Sequence, residues 1–360
     1  MPITFLDKQP LLFPKANNNK KGRWKMKKLL FVSAVVFCCL FMIVPTSMAK
    51  AVKIRFTHVV SENTPKGWAA NEFAKRVNAA LKGEYEVIVF PNSQLYDDNQ
   101  AVEALSAGFV EMAAPSSAKF VGSVPALQLF DMPFLFPTIE TIHEVIDGEI
   151  GDEIRAMFVE RKLGIKLMTF WDNAFKQFSC NTRPLLKTSN FKGVKFRIMS
   201  SDVLEAQMKA LGGVGLKLPF SEVYNALEQG VVDGQENTAS NIYTKKLHEV
   251  QKYLTFSNHG YLGYAVIVNQ KFWDGLPAEV QKTISDILTE VTALERQKAV
   301  ELDQEQGQLI RDYAKKSGKL KIFDLTPEQT AELQEAMKPV HDKFAKVVPT
   351  EWIEKIKAMK

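Results

Sequence analysis

From residue 54 onward, short β-prone runs alternate with amphipathic helical stretches, and this alternation constrains the fold more than any other feature of the chain. Ile54-Arg55-Phe56-Thr57-His58-Val59 reads as a strand. Thr64 then suits a helix N-cap and Pro65 the first helical position, with Phe73, Val77 and Leu81 following at helical spacing. Val87–Phe90 is a second strand, Val102 and Leu105 mark a helix stopped by Gly108, and Met112-Ala113-Ala114 is a short third strand. Such alternation predicts mainly parallel sheets with crossover helices. The pattern restarts at Ile165–Phe170 and Val194–Ile198, followed by helices over about 201–211 and 221–229, a short strand at 233–236 and a central strand at Tyr264–Val268. A chain of 360 residues has the length for two such units.

Beyond Pro277, the residues Val280, Ile284, Ile287, Leu288, Val291 and Leu294 form one apolar helical stripe. A helix of that length either braces two lobes or is an ordinary surface helix, and periodicity alone leaves both open. Thr326-Pro327-Glu328-Gln329 opens a last helical segment with a capping box. No internal repeat or low-complexity linker occurs, so any crossings between lobes are short.

The one long apolar run, Leu29–Val44, follows Met26-Lys27-Lys28 and precedes Pro45-Thr46-Ser47-Met48-Ala49. Positive residues, a 16-residue apolar core and small residues at 47 and 49 are the parts of a cleavable export signal. The run is short for a permanent span of ~20 residues. The signal proper is 26–49, and residues 1–25 read as an upstream extension. Of the chain's 46 basic and 41 acidic residues, eight and one fall within 1–49, leaving 38 against 40. The exported body has no general attraction for nucleic acid. Cleavage also removes Cys38 and Cys39, so the body keeps only Cys180, in the strand-like Phe178-Ser179-Cys180-Asn181, where a buried inert thiol is expected.

Catalytic constellations are missing. The five histidines (His58, His143, His248, His259 and His341) are never three or four residues apart, so no helix offers a zinc pair. There is no nucleophile elbow and no phosphate loop, and Gly212-Gly213-Val214-Gly215 follows a helix instead of opening one. Asp97-Asp98 reads as a pair of solvated loop residues. No catalytic residue, metal or cofactor is expected. Cations at strand ends are what the chain does offer. Lys66 lies in the first turn of a helix after a strand, where free N–H groups favour an anion. Lys176 follows Trp171-Asp172-Asn173-Ala174-Phe175. In Val194-Lys195-Phe196-Arg197-Ile198, alternation sets Arg197 on the face opposite Phe196 and Ile198.

These segments resemble the solute-binding proteins of TRAP (tripartite ATP-independent periplasmic) transporters, the DctP family, and most of all its C4-dicarboxylate branch. The resemblance covers nearly all of 51–350. It rests on His58-Val59-Val60-Ser61-Glu62-Asn63-Thr64-Pro65-Lys66-Gly67, Pro91-Asn92-Ser93-Gln94-Leu95, Trp171-Asp172-Asn173 and Gly193-Val194-Lys195-Phe196-Arg197. Pro219-Phe220-Ser221-Glu222-Val223-Tyr224, Asp233-Gly234-Gln235-Glu236-Asn237 and His248-Glu249-Val250-Gln251-Lys252-Tyr253 continue it. It implies an α/β periplasmic binding-protein fold of two lobes, each a mainly parallel sheet with flanking helices, joined by crossing strands and a long bracing helix. Lobe I would be 51–173 plus about 260–300, and lobe II 174–259 plus about 301–350. The implied function is a monomeric periplasmic receptor, not an enzyme, that closes on a small carboxylate and passes it to TRAP membrane subunits. Succinate, fumarate or malate is the expected ligand; another organic acid, or a periplasmic enzyme acting on organic acids, is the alternative.

By the same resemblance the carboxylate clamp falls on Arg197, a supporting amide on Asn237 and a packing ring on Phe220. Lys176 stands where some members have Arg, Ser200 where some have Asn, Lys66 is the candidate for the distal carboxylate, and His259 is a hinge or pocket residue. A short diacid in a dry cleft needs cations at both ends, which one Arg and two Lys would supply. The processing expectation is direct: mass spectrometry of the exported protein should find Lys50 at the N-terminus, whereas an intact apolar segment in the membrane fraction would mark an anchor.

Overall fold

The computed structural model describes residues 50–359; the expected extension and export signal, 1–49, lie outside them. Its strands are β1 (Val52–Thr57), β2 (Tyr85–Phe90), β3 (Met112–Ala113), β4 (Ile165–Phe175), β5 (Gln177–Cys180) and β6 (Lys195–Ile198). They continue as β7 (Val214–Lys217), β8 (Gly234–Asn237), β9 (Tyr253–Phe256), β10 (Tyr261–Asn269) and β11 (Lys321–Asp324). Two sheets result, ordered β2-β1-β3-β10-β4 and β11-β9-β5-β8-β6-β7.

Local chemistry explains the helix starts. The Thr64 hydroxyl accepts the Gly67 N–H, and Pro65 opens the helix Pro65–Ala80. Asp97 makes a capping box with Gln100 at Asp98–Ser106, and Ser201 caps Asp202–Ala210. The expected helix at 221–229 is tighter at its start, a 3-10 turn Phe220–Glu222 leading into Val223–Glu228.

Each sheet is parallel except for one reversed strand. In the first sheet β10 runs antiparallel to both neighbours, β3 and β4. In the second, β5 runs antiparallel to both β8 and β9. Both reversed strands adjoin the points where the chain passes between sheets. It leaves the first sheet from β4 into β5 with only Lys176 intervening, and returns from β9 into β10 through Ser257–Gly260. A chain that enters a sheet directly as a strand, without a crossover helix, arrives reversed.

Both sheets are packed on two faces. Along β10, Leu262, Tyr264, Val266 and Val268 face one apolar cluster, while Tyr261, Ala265 and Ile267 face another. The 40-residue helix Ala278–Ser317, about 60 Å long at 1.5 Å per residue, settles the question its periodicity left open. Val280, Ile284, Leu288 and Val291 pack in a cluster of the first sheet, and Ile310 in a cluster of the second. It also holds the crossing strand, since Trp171 Nε1 donates to Thr292 Oγ1 at 3.1 Å and the Asp172 N–H to Glu295 Oε2 at 3.0 Å. The helix Pro327–Phe344 passes back the other way, with Leu333 and Met337 in a second-sheet cluster and Val340 and Phe344 in a first-sheet cluster. Pro339, which has no N–H to give the helix ladder, lies between the two pairs. We propose that each sheet with its helices forms one lobe, with boundaries in the two crossings and in the long helix. On this division Val340 to Ile356 side with the first lobe, against the expected assignment of 301–350 to the second.

The crossings are tied by a buried carboxylate. Glu236 on β8 receives Lys176 Nζ at 2.7 Å on one oxygen, and His259 Nε2 and Gln207 Nε2 at 2.8 Å on the other. Burial alone would push the Glu236 carboxyl up; Lys176 and His259 together hold it below the usual carboxylate range. His259 stacks on Phe178 with centroids 3.6 Å apart, and Ser257 meets its Nδ1 at 2.8 Å. Glu236→Ala leaves the Lys176 ammonium buried and unpaired and should cost ~3–5 kcal/mol in urea unfolding. Pairing it with Lys176→Met should recover most of that loss, because no unpaired charge then remains.

Candidate functional site

A cavity lies between the two sheets, at the C-terminal ends of their parallel strands. The first sheet's side supplies Val59 after β1, Asp97 and Asp98, Ser116 and Lys119 after β3, and Leu262 and Tyr264 from β10. From the second come Arg197 and Met199 at the end of β6, Pro219, Phe220, Asn237 at the end of β8, and Asn241. The sides also touch directly, with Lys119 Nζ donating to Ser200 Oγ at 3.2 Å and Ser116 Oγ to Met199 Sδ at 3.4 Å.

Arg197 is the dominant group. Phe196 and Ile198 point into the second sheet's core, so alternation turns Arg197 to the cavity face, where it is 2% exposed. Its Nε and Nη2 both donate to the Leu218 carbonyl, at 3.0 and 2.9 Å. The guanidinium carbon lies 5.9 Å from the Phe220 ring centroid. Among the described residues no carboxylate comes within salt-bridge distance of it. Burial therefore lowers its pKa to about 10, with Glu236 and Asp98 opposing from further off. A fixed planar cation with unused N–H donors, facing a cavity, is a preformed seat for a carboxylate.

Asn237 sits beside it, with its Oδ1 committed to the Thr238 N–H and to Asn241 Nδ2 at 3.1 and 2.9 Å. Its own Nδ2 makes no hydrogen bond among the described residues and remains a donor. Phe220 lines the same wall. These three residues, singled out from sequence, are brought together.

The other four are placed differently. Lys176 and His259 are in the crossings, bonded to Glu236, and neither lines the cavity. The assignment of Lys176 to a ligand carboxylate gives way to a protein carboxylate 60 positions on. Lys66 is fully buried but also outside the lining set: its Nζ donates to the Ala114 carbonyl at 2.8 Å and sits 3.6 Å from the Tyr264 ring centroid. Burial lowers Lys66 to about 8, with Asp98 opposing. Ser200 reaches the site only through Lys119.

Sequence reasoning missed Lys119, Asp98, Asn241 and Tyr264. Lys119 follows a strand just as Lys66 and Lys176 do, so the same strand-end argument would have found it. Its pKa is lowered by burial first, then partly restored by Asp98. Asp97 and Asp98 are not solvated loop residues: Asp97 caps a helix, and Asp98 accepts the Ser116 N–H at 3.3 Å, both half-buried on the cavity wall. The thiol of Cys180 is buried in the second sheet's core, as expected.

Comparison with known proteins places this geometry. Residues 56–347 match the family model for DctP, bacterial extracellular solute-binding protein, family 7. The C4-dicarboxylate-binding periplasmic protein DctP of Rhodobacter capsulatus is 45% identical over 313 residues, covering 87% of this chain and 92% of that protein. A TRAP periplasmic solute binding protein from Sulfurospirillum deleyianum, solved with bound succinate, superposes with a TM-score of 0.84 at 47% identity over 87% of this chain and 100% of its own. Another from Pseudomonas aeruginosa, with bound L-malate, gives 0.76 at 37% identity over 81% and 99%. With its two-lobed α/β fold and a cationic cavity between the sheets, the chain belongs to the DctP family of periplasmic TRAP-transporter solute-binding proteins.

Proposed function

We propose that this protein binds a C4-dicarboxylate such as succinate, fumarate or malate between its two sheets and delivers it to the membrane subunits of a TRAP transporter. The observation that carries the reading is a fully buried Arg197 facing the cavity with no carboxylate partner among the described residues. The Arg197 fork and the free Asn237 amide hold one carboxylate, with Phe220 packed against it. Lys119 and Lys66 add positive charge on the opposite wall, one directly and one from beneath Tyr264. Ser200 positions Lys119, while Lys176 and His259 keep the crossings in register. Ligand contacts from both sheets favour the closed arrangement over an open one, so binding and closure are one equilibrium. Relatives described as C4-dicarboxylate-binding, and structures with succinate and L-malate bound, support the choice of ligand class.

Calorimetry with succinate, fumarate and malate tests it, and absence of binding by all three would reject the ligand class. Arg197→Ala leaves a ligand carboxylate unpaired in a dry site, costing ~3–5 kcal/mol, or roughly two to three and a half decades of affinity. Arg197→Lys keeps the charge without the fork and should recover only part. Apo stability of Arg197→Ala should equal or exceed that of the parent, since a buried unpaired cation is removed.

Lys66 gives a pH signature. Its folded pKa of about 8 lies below the ordinary 10.5, so the apo fold is penalised for the charged form at all pH below 8, and the penalty fades between 8 and 10.5. A bound dianion favours the charged form. Binding above pH 8 should therefore take up protons, visible as buffer-dependent heats, and affinity should fall as pH rises further. Lys66→Met should abolish the proton uptake.

A further inference from the structure

We propose that the Tyr264 hydroxyl donates its proton to the ligand carboxylate remote from Arg197, and so sets the preference for diacids over monoacids. The inference rests on the carboxylate-binding reading and adds a ligand-contacting group to it.

The register of β4 against β10 creates the geometry. Leu262 pairs with Ala174 and Gly263 with Asp172, so Asn173 is an extra residue, a β-bulge next to the cavity. Gly263 is required on the other strand, because a Cβ there would lie 2.4 Å from the Tyr261 hydroxyl oxygen. Asn173 is thereby freed from the ladder, and its Nδ2 donates to the Tyr264 oxygen at 2.7 Å. A second amide, Asn241 Nδ2, donates to the same oxygen at 3.2 Å.

The orientation of Asn241 follows from its neighbours. Asn237 Oδ1 accepts the Thr238 N–H, so the Asn241 atom 2.9 Å from that oxygen must be the nitrogen. On the other side, Ser240 Oγ donates to Asn173 Oδ1, which leaves the Asn173 nitrogen for Tyr264. Both acceptor positions of the phenol oxygen are filled, and the proton is the one hydrogen-bonding capacity it has left. Among the described residues it has no acceptor, and Tyr264 lines the cavity.

Two further features suit a donor. Burial raises the Tyr264 pKa above its ordinary value, so the hydroxyl keeps its proton at any pH the protein meets. The Lys66 ammonium over the ring adds positive charge behind that donor without entering the cavity. Lys66 therefore acts on the remote carboxylate through Tyr264, which explains why a cation beside the site lines none of it.

Tyr264→Phe removes only the hydroxyl. Calorimetry with succinate, which has the remote carboxylate, and butanoate, which lacks it, should show succinate weakened roughly 10- to 100-fold. Butanoate should change by less than about threefold, since its one carboxylate stays on Arg197. Succinate bound by the variant within about threefold of the parent would overturn the inference, as would equal losses for both acids. A crystal structure of the parent with succinate gives an answer independent of how the variant folds. The Tyr264 oxygen should lie within about 3 Å of a carboxylate oxygen, and a separation beyond about 4 Å would overturn the inference. Failure of the parent to bind any diacid would instead remove the functional reading itself.

Discussion

Two strands pass directly between the sheets, and the carboxylate of Glu236 joins both. Lys176 in the first crossing and His259 in the second bond to its two oxygens, and all three groups are buried. A buried ion pair of this kind adds little net stability over an apolar replacement, yet it is costly to break. What it supplies here is register. Shifting the first crossing by one residue would strand the Lys176 charge, and shifting the second would break the His259 hydrogen bond to Glu236, so both shifts are opposed. Asn237, next in sequence to Glu236, is thereby set at the cavity wall beside Arg197.

The site shares this logic with one partner removed. In the crossings the Lys176 cation has its carboxylate within the chain. Among the described residues, Arg197 at the cavity has a carbonyl as its hydrogen-bond partner, and Lys66, behind the cavity wall, has a carbonyl and a ring. Both are held below their ordinary pKa by burial. The fold has built a network of cations and oriented amides that an anion completes. That arrangement carries a cost in the empty protein, and the cost is largest when the two sides are closed and dry. On the proposed closing motion, opening would admit water to the cations and closing on a diacid would replace that water with carboxylate oxygens.

Much of the fold could be read from residue types. The Thr64-Pro65 helix start, the alternation that turns Arg197 away from Phe196, and the two α/β units all follow from local rules, and the structure has them. Strand direction is not a local property. Tyr264–Val268 reads as a central strand from its apolar run, but its reversal depends on how the chain entered the sheet. Partners were the least legible. Lys66, Lys119 and Lys176 look alike in sequence, each a lysine just beyond a strand, and their fates differ because of Tyr264, Ser200 and Glu236. Those residues lie between 60 and 198 positions away and are recruited only through tertiary packing. Tyr264 itself was hidden by its apolar neighbours, since a core strand accounts for a tyrosine as readily as a site does.

The division of polar groups between the two sides bears on selectivity. Arg197 and Asn237 belong to one sheet; Lys119, Asp98 and Tyr264 belong to the other side. An acid with one carboxylate can satisfy the first set without the second, and then nothing in it favours closure over the open form. A diacid spanning both sets gains its second group of contacts only when the sides meet. Asp98 limits the charge that can enter: with its carboxylate on the wall, an additional anionic group on the ligand would face repulsion in a site of low dielectric. On the proposed binding mode, length, charge and closure would be read together, by cations on opposite walls of the cavity.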